Sequence, residues 1–290
     1  MVLQQIINGL SIGSVYAMIA VGYSLVYSVL NFSNFAHGEI LMLGSFIGYF
    51  VLSLLKVPFY IALAFSIVGA GIIAMLIERF GYRPLRLRKA PTLYFMIAAM
   101  GFSVFLQNLA IIVFTPNFRT YPQLFPLQPI TVGSLAIGRL DLVIFFISLI
   151  SLSLLSLLIY KTKIGTAIRA TAYNYRVASL MGINPDVVIG IVFFLAGGTA
   201  GLGGMLFGMK YTTYPWMGAL TIKAFIAAVV GGLGSLPGAV LGSFILGLVE
   251  TFASGYISSS FRDLFSYAIM IIIIIFLPSG LLGKNTSEKA

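Results

Sequence analysis

Long apolar runs alternate with short basic breaks along the whole chain. The runs fall at about 6–30, 38–55, 58–78, 92–114, 140–160 and 187–209, followed by a closely spaced pair at 219–231 and 237–253 and a last one at 264–282. Several reach the ~20 residues an α-helix needs to cross a ~30 Å hydrocarbon core. The pattern predicts an all-α polytopic membrane protein, one transmembrane domain over 1–290, with nine crossings, or eight and one re-entrant segment.

The polar breaks set the expected orientation. Arg79, Arg83, Arg86, Arg88 and Lys89 share one break, and Lys161, Lys163, Arg169 and Arg176 another. With Lys284 and Lys289 they put eleven of the seventeen Lys and Arg residues on one side. That side is cytoplasmic by the positive-inside rule, which gives an outer N-terminus and an inner C-terminus. Lys56, Arg119, Arg139, Lys210, Lys223 and Arg262 are spread over the outer connections. The longest of these, about 115–140, contains Ile130-Thr-Val and Leu135-Ala-Ile around Gly133-Ser134, the pattern of a small outer β-hairpin.

Composition narrows the function classes. At 60% hydrophobic and 8% charged residues, with a mean hydropathy of +1.06, the chain has more apolar surface than a soluble domain can hide. The net charge of +10 resides in the breaks, so it reports orientation in a lipid membrane and no nucleic-acid partner. With no cysteine there is no disulfide, thiol nucleophile or thiolate metal site. No basic leader with a small-residue cleavage pattern opens the chain, so the first span is expected to be retained. The spacing Gly203-x4-Gly208-Met-Lys210 fails as a phosphate loop, because Met209 intervenes and no hydroxyl follows the lysine directly. Paired carboxylates, a histidine cluster and a nucleophile–base set are all missing from the sequence. We therefore expect no catalytic residues, no metal site and no cofactor in this chain.

The stretch 161–186 is too polar for lipid and reads as a short surface helix stopped by Gly182 and followed by Pro185. Arg169, Tyr173 and Arg176 share one face, packed about by Ala167, Ala170, Ala178 and Met181. It is either a site for a partner protein or a basic connector held at anionic headgroups. Two glycine- or asparagine-rich breaks interrupt apolar runs. At 231–238, Gly231, Gly234 and Pro237 cannot sustain a helix, so this is either a pair of half-helices beside a pathway or a tight turn at the cytoplasmic edge. At 31–39, Asn31 and Asn34 precede His37, the only histidine, and Glu39. A helix starting after Asn34 would aim free backbone N–H groups into the break. Glu39 and Glu250 lie close to apolar runs without a basic sequence neighbour, and an intramembrane acid is a functional candidate by default. Gly197, Gly201 and Gly204 have the spacing that lets helices pack backbone to backbone. Leu43-Gly-Ser-Phe-Ile47 recurs as Leu241-Gly-Ser-Phe-Ile245, a faint internal echo.

Three blocks in order carry a resemblance that covers about residues 9–283. They are Gly13-Ser-Val-Tyr16 through Tyr27 with Asn31-Phe-Ser-Asn-Phe-Ala-His-Gly-Glu39; Gly165-Thr-Ala-Ile-Arg169 with Ala178-Ser-Leu-Met-Gly182; and Lys223, Gly231-Gly-Leu-Gly-Ser235, Pro237 and Glu250. Together they resemble the branched-chain amino acid permease family of bacterial ABC transporters, specifically its smaller high-affinity permease subunit. The resemblance implies a second homologous permease chain, two cytoplasmic ATPase subunits that bind ATP and magnesium, and a periplasmic or lipid-anchored binding protein, all at the bacterial inner membrane. It also implies that 165–182, with Gly165, Ala167, Arg169, Ala170, Arg176, Ala178 and Gly182, couples this chain to an ATPase. Asn31, Asn34, His37, Glu39, Gly231, Gly234, Pro237 and Glu250 are candidates for the translocation pathway on physical grounds. Permeases for urea and short-chain amides resemble the same blocks, while the compact length favours the amino acid branch. A stand-alone transporter or channel using Glu39 and His37 as a proton relay is the competing class.

Overall fold

A computed structural model describes residues 2–126, 128–133 and 135–283. Its elements run α1 (Val2–Leu30), α2 (His37–Leu55), α3 (Phe59–Ile77), a π-helical turn (Glu78–Tyr82), α4 (Arg83–Leu87), α5 (Thr92–Phe114), β1 (Ile130–Val132), β2 (Leu135–Ile137), α6 (Arg139–Lys161), α7 (Lys163–Tyr173), α8 (Tyr175–Leu180), α9 (Pro185–Lys210), α10 (Leu220–Gly231), α11 (Leu236–Tyr256) and α12 (Arg262–Phe276). Among the described residues, eight helical stretches are long and apolar enough to cross a membrane, with α3, the π-turn and α4 acting as one span. The fold class is therefore all-α polytopic. Two expected spans differ. The run at 219–231 forms a helix of 12 residues, about 18 Å long at 1.5 Å per residue, too short for a ~30 Å core. The last helix ends at Phe276, because Leu277, Pro278 and Gly280 turn the chain back.

At the centre lies α9, packed along α3, α2 and α1. Its glycines are what permit this. A Cβ on Gly197 would meet Ala70 and Ala74 of α3, one on Gly201 would meet Ser66 and Ala70, and one on Gly204 would meet the Leu41 carbonyl of α2. The three backbones are tied where they approach: the Ser66 hydroxyl reaches both the Gly44 carbonyl at 2.8 Å and the Gly201 carbonyl at 2.9 Å. Without a hydrophobic force between helices in lipid, such close packing and hydrogen bonding hold the bundle together.

The ends of the bundle are closed by side chains. At one end the hairpin pairs Ile130 with Ile137 and Val132 with Leu135. Gly133 supplies the left-handed turn at φ 63, and Ser134 lies outside the described residues. The Gln4 side chain donates to the Ala136 carbonyl (2.8 Å) and accepts from its N–H (3.0 Å), clamping the hairpin to the start of α1. Nearby, Arg119 and Thr213 exchange two backbone hydrogen bonds of 2.8 Å, and Tyr121 donates to the Ser45 carbonyl at 2.6 Å. Burial pushes the Tyr121 phenol well above its ordinary value, so it stays a donor. At the opposite end, Gly234 packs against Ser28, and Leu281 and Leu282 donate to the carbonyls of Val230 and Gly231. The two ends of the described chain thus lie on opposite faces of the bundle. Lys284 and Lys289 lie outside the described residues.

Glu250, a pathway candidate from the sequence, is the hub of an ion network. Its side chain is completely buried in α11 and accepts from Lys223 of α10 (2.6 Å), Arg262 (2.7 Å) and Ser266 (2.8 Å) of α12, and Tyr16 of α1 (2.9 Å). Asp263 adds a second carboxylate to Lys223. Two acids and two bases balance, so a cluster that would be prohibitively costly in part is neutral as a whole.

Two outcomes follow for stability. Gly201→Val is expected to lower the detergent melting midpoint, followed by the fluorescence of Trp216, the chain's only tryptophan, because overpacking costs about 1–3 kcal/mol. Glu250→Ala should cost more, near the lower end of the ~3–5 kcal/mol typical of a broken buried pair, because Arg262 is partly exposed. Lys223→Met should cost less than Glu250→Ala, since Arg262 still neutralises the acid; the reverse order would contradict the hub.

Candidate functional site

The break between α1 and α2 is folded back into the bundle. The His37 Nε2 atom pairs with the Ile19 carbonyl at 3.1 Å, and Ile19 lies about eleven residues, roughly 16 Å, before the end of α1. The α2 helix therefore begins beside the middle of α1. Asn31 bends the chain at φ 51. Asn34 then braces the return: its Oδ1 accepts from the Ala36 N–H (3.2 Å) and from the Tyr82 hydroxyl (2.8 Å). No side chain caps α2.

Around this start lie parts of five helices. Glu39 and His37 are buried at 4% and 1% exposure. The Glu39 carboxylate lies against the Cα of Gly218, in the turn before α10, and accepts from Ser103 of α5 at 3.1 Å. Thr221 of α10 packs against Gly38, and the Phe225 ring, one turn on, lies 5.9 Å from the Tyr23 ring of α1. Tyr23 in turn packs against His37 with ring centroids 6.0 Å apart, and Thr199 of α9 and the His37 ring both crowd Gly22. Gly218, Thr221 and Phe225 recur at three- and four-residue spacing, the first two against α2 and Phe225 against Tyr23 of α1, while Lys223, on the other side of α10, faces Glu250. Unpartnered here are Glu39 Oε2, Thr221 Oγ1 and Asn34 Nδ2, each of which costs about 1–3 kcal/mol if left open.

The other candidates lie elsewhere. Gly231 packs backbone to backbone against Gly238, Gly232 and Gly234 adopt φ 110 and 80, and the Ser235 hydroxyl accepts from the Gly238 N–H. Pro237 sits in the first turn of α11. This is a sealed turn, separated from Glu39 by the length of α10.

On the face opposite the hairpin, the expected single helix is two. Asn174 takes an extended conformation and caps α8 by accepting from the N–H groups of Arg176 and Val177. Gly182, at φ 81, ends the segment, and Asn184 caps α9. Arg169 is exposed but donates to the carbonyls of Ile159 (2.9 Å) and Tyr160 (3.2 Å) at the end of α6. Gly165 lies against the Ile159 carbonyl, and Ala178 is buried, while Ala167 and Ala170 are half-buried. Arg176 is exposed, and beside it Leu180 and Met181 are exposed at 86% and 78%. A clasp the sequence did not disclose joins this face: Asp186 pairs with Arg83 (3.2 Å) and Arg86 (2.8 Å), and Arg86 with Glu78 (2.9 Å). Ser103, Thr221 and Tyr82 were also missed, since a lone hydroxyl in an apolar run gives no signal of its neighbours. Among the described residues there is no cluster of His, Cys, Asp or Glu able to hold a metal ion.

Comparison with known proteins is consistent with this architecture. The chain is 37% identical over 301 residues to the high-affinity branched-chain amino acid transport system permease protein LivH of Salmonella typhimurium strain LT2, covering 99% of this chain and 97% of that one. BraD of Pseudomonas aeruginosa, also named a high-affinity branched-chain amino acid permease protein, is 36% identical over the same shares. A probable LivH of Methanocaldococcus jannaschii is 30% identical over 92% of this chain and 88% of its own. Among solved structures, PsaBC from Streptococcus pneumoniae in complex with Fab shares the fold at a TM-score of 0.50, with 14% identity over 94% of this chain and 91% of that one. Residues 5–274 match the family model described as branched-chain amino acid transport system / permease component, and the chain belongs to that family.

Proposed function

We propose that this chain is a translocation subunit of an ATP-driven importer for branched-chain amino acids in the bacterial inner membrane. Near-full-length identity to permeases named for that cargo supports branched-chain amino acids over urea or amides. The chain performs no chemistry of its own. ATP and magnesium are bound by two separate cytoplasmic ATPase subunits, a second homologous permease chain completes the membrane part, and a periplasmic or lipid-anchored binding protein delivers substrate. The N-terminus and hairpin face outward, and α7, α8 and the C-terminus face the cytoplasm, where the basic breaks belong.

The observation that carries the coupling role is the surface of α8. Val177, Leu180 and Met181 are exposed on a short polar segment outside the spans, an apolar patch that suits the groove of a partner protein. Arg169 serves the same role from beneath, by fixing α7 to the end of α6.

The deciding experiment is radiolabelled L-leucine uptake into proteoliposomes that hold the full co-encoded complex, with ATP inside, binding protein outside and urea run in parallel. Uptake that requires ATP and this chain is the expected result; uptake by this chain alone without ATP would overturn the reading. Leu180→Glu combined with Met181→Glu should abolish uptake while the chain still reaches the membrane. Arg169→Glu should do the same by releasing α7, and unchanged uptake in both variants would refute the coupling role.

A further inference from the structure

The start of α2 leaves complementary polar atoms open in one small region. Glu39 Oε1 accepts from Ser103, but Oε2 has no partner, and Asn34 Nδ2 and Thr221 Oγ1 have none either. All three residues are more than nine-tenths buried. Interiors satisfy their polar groups, so unmet ones that cluster call for a ligand. The open set is a carboxylate acceptor, an amide donor and a hydroxyl, which matches a zwitterion: an ammonium for the acid, and a carboxylate for the amide N–H.

The apolar surroundings suit the rest of such a ligand. Tyr82, bonded to Asn34, sits among the rings of Phe32 (5.1 Å), Phe102 (5.9 Å) and Phe95 (6.4 Å). Phe102 directly precedes Ser103, so one turn of α5 touches both the acid and the aromatic cluster. The far side of α5 is bare, with Ile97, Val104 and Ile112 exposed. The helix that carries Ser103, the one hydrogen-bond partner of the Glu39 side chain among the described residues, thus has a free face, and its separation from α2 would release Oε1 as well as Oε2 for a ligand.

We infer that Glu39 binds the α-ammonium group of an amino acid passing the start of α2, with Asn34 donating to the substrate carboxylate and the Tyr82–Phe102 rings facing its aliphatic side chain. This rests on the importer reading above. Thr221 and Gly218 present the α10 side of the site, where the missing Cβ of Gly218 gives the carboxylate its room.

The test compares Glu39→Gln and Ser103→Ala in the full reconstituted complex. Glu39→Gln should import leucine roughly tenfold or more slowly, as expected for a lost charge-assisted hydrogen bond, in complexes that still assemble. Ser103→Ala, which keeps the acid, should stay within about threefold of wild type. Glu39→Gln uptake close to wild type, or equal losses in both variants, would overturn the proposal. If Glu39→Gln fails to assemble, the wild-type complex decides through carbodiimide labelling of Glu39 during turnover, read by peptide mass spectrometry. Slower labelling with leucine and binding protein, but not with 4-methylpentanoate, supports the site; labelling that is absent or indifferent to leucine overturns it. A wild-type complex that imports no leucine at all would instead refute the importer reading.

Discussion

Backbone polar groups at membrane depth must find partners inside the protein, and this constraint governs the whole bundle. The chain breaks its helices at 31–36, where it folds back into the bundle, and at 211–219 and 232–235, towards its ends, and each break is satisfied locally. Asn34 accepts from a backbone N–H, Arg119 and Thr213 pair main chain to main chain, Ser235 caps α11, and Leu281 and Leu282 cover the end of α10. The glycines of α9 then bring neighbouring helices close enough for Ser66 to tie two backbones with one hydroxyl. Broken helices and small residues are two halves of one solution: the breaks create polar demand, and close packing brings the groups that meet it.

The short helix α10 shows what that solution permits. On one side it carries Lys223 into the neutral cluster around Glu250, which ties α1, α10, α11 and α12 together. On the other, Gly218 and Thr221 meet the start of α2 and Phe225 meets Tyr23 of α1. Two buried acids thus flank one helix in different surroundings. Glu250 is met by two cations, a tyrosine and a serine. Glu39 accepts from a neutral serine, and its second oxygen is open among the described residues.

Much of this was legible in the sequence, and the limits have physical causes. Apolar run lengths located the long spans, the strand pattern around Gly133 located the hairpin, and Gly182 and Pro185 bounded the polar segment, because these are local signals. The spacing of Gly197, Gly201 and Gly204 advertised a packing face but not which helices it meets. Depth was invisible: nothing near His37 reveals that its ring will reach Ile19, since a run length records how far a helix extends and not where it starts. Glu250 looked solitary because Arg262 is twelve residues away and Lys223 twenty-seven. Asn174 was read through as helix, although its side chain prefers to cap, because the surrounding alanines dominate a propensity average.

The placement of α7 links the face opposite the hairpin to the interior. It packs against α1, α6 and α9 at once, and Arg169 fastens it to the last carbonyls of α6. The end of α1 leads straight into the Asn31–Ala36 return that positions Glu39, and the start of α9 is clasped through Asp186 to Arg83 and Arg86, just beyond Tyr82. A displacement of α7 therefore meets both walls of the same region, the α1–α2 break through α1 and the Tyr82 ring through the clasp. Packed elements tend to shift between discrete arrangements rather than deform smoothly. In such a frame, a helix packed through one face yields more readily than one packed all round. The helix α5 is of the first kind: Ile97, Val104 and Ile112 are exposed on it, while its Ser103 gives Glu39 a hydrogen bond.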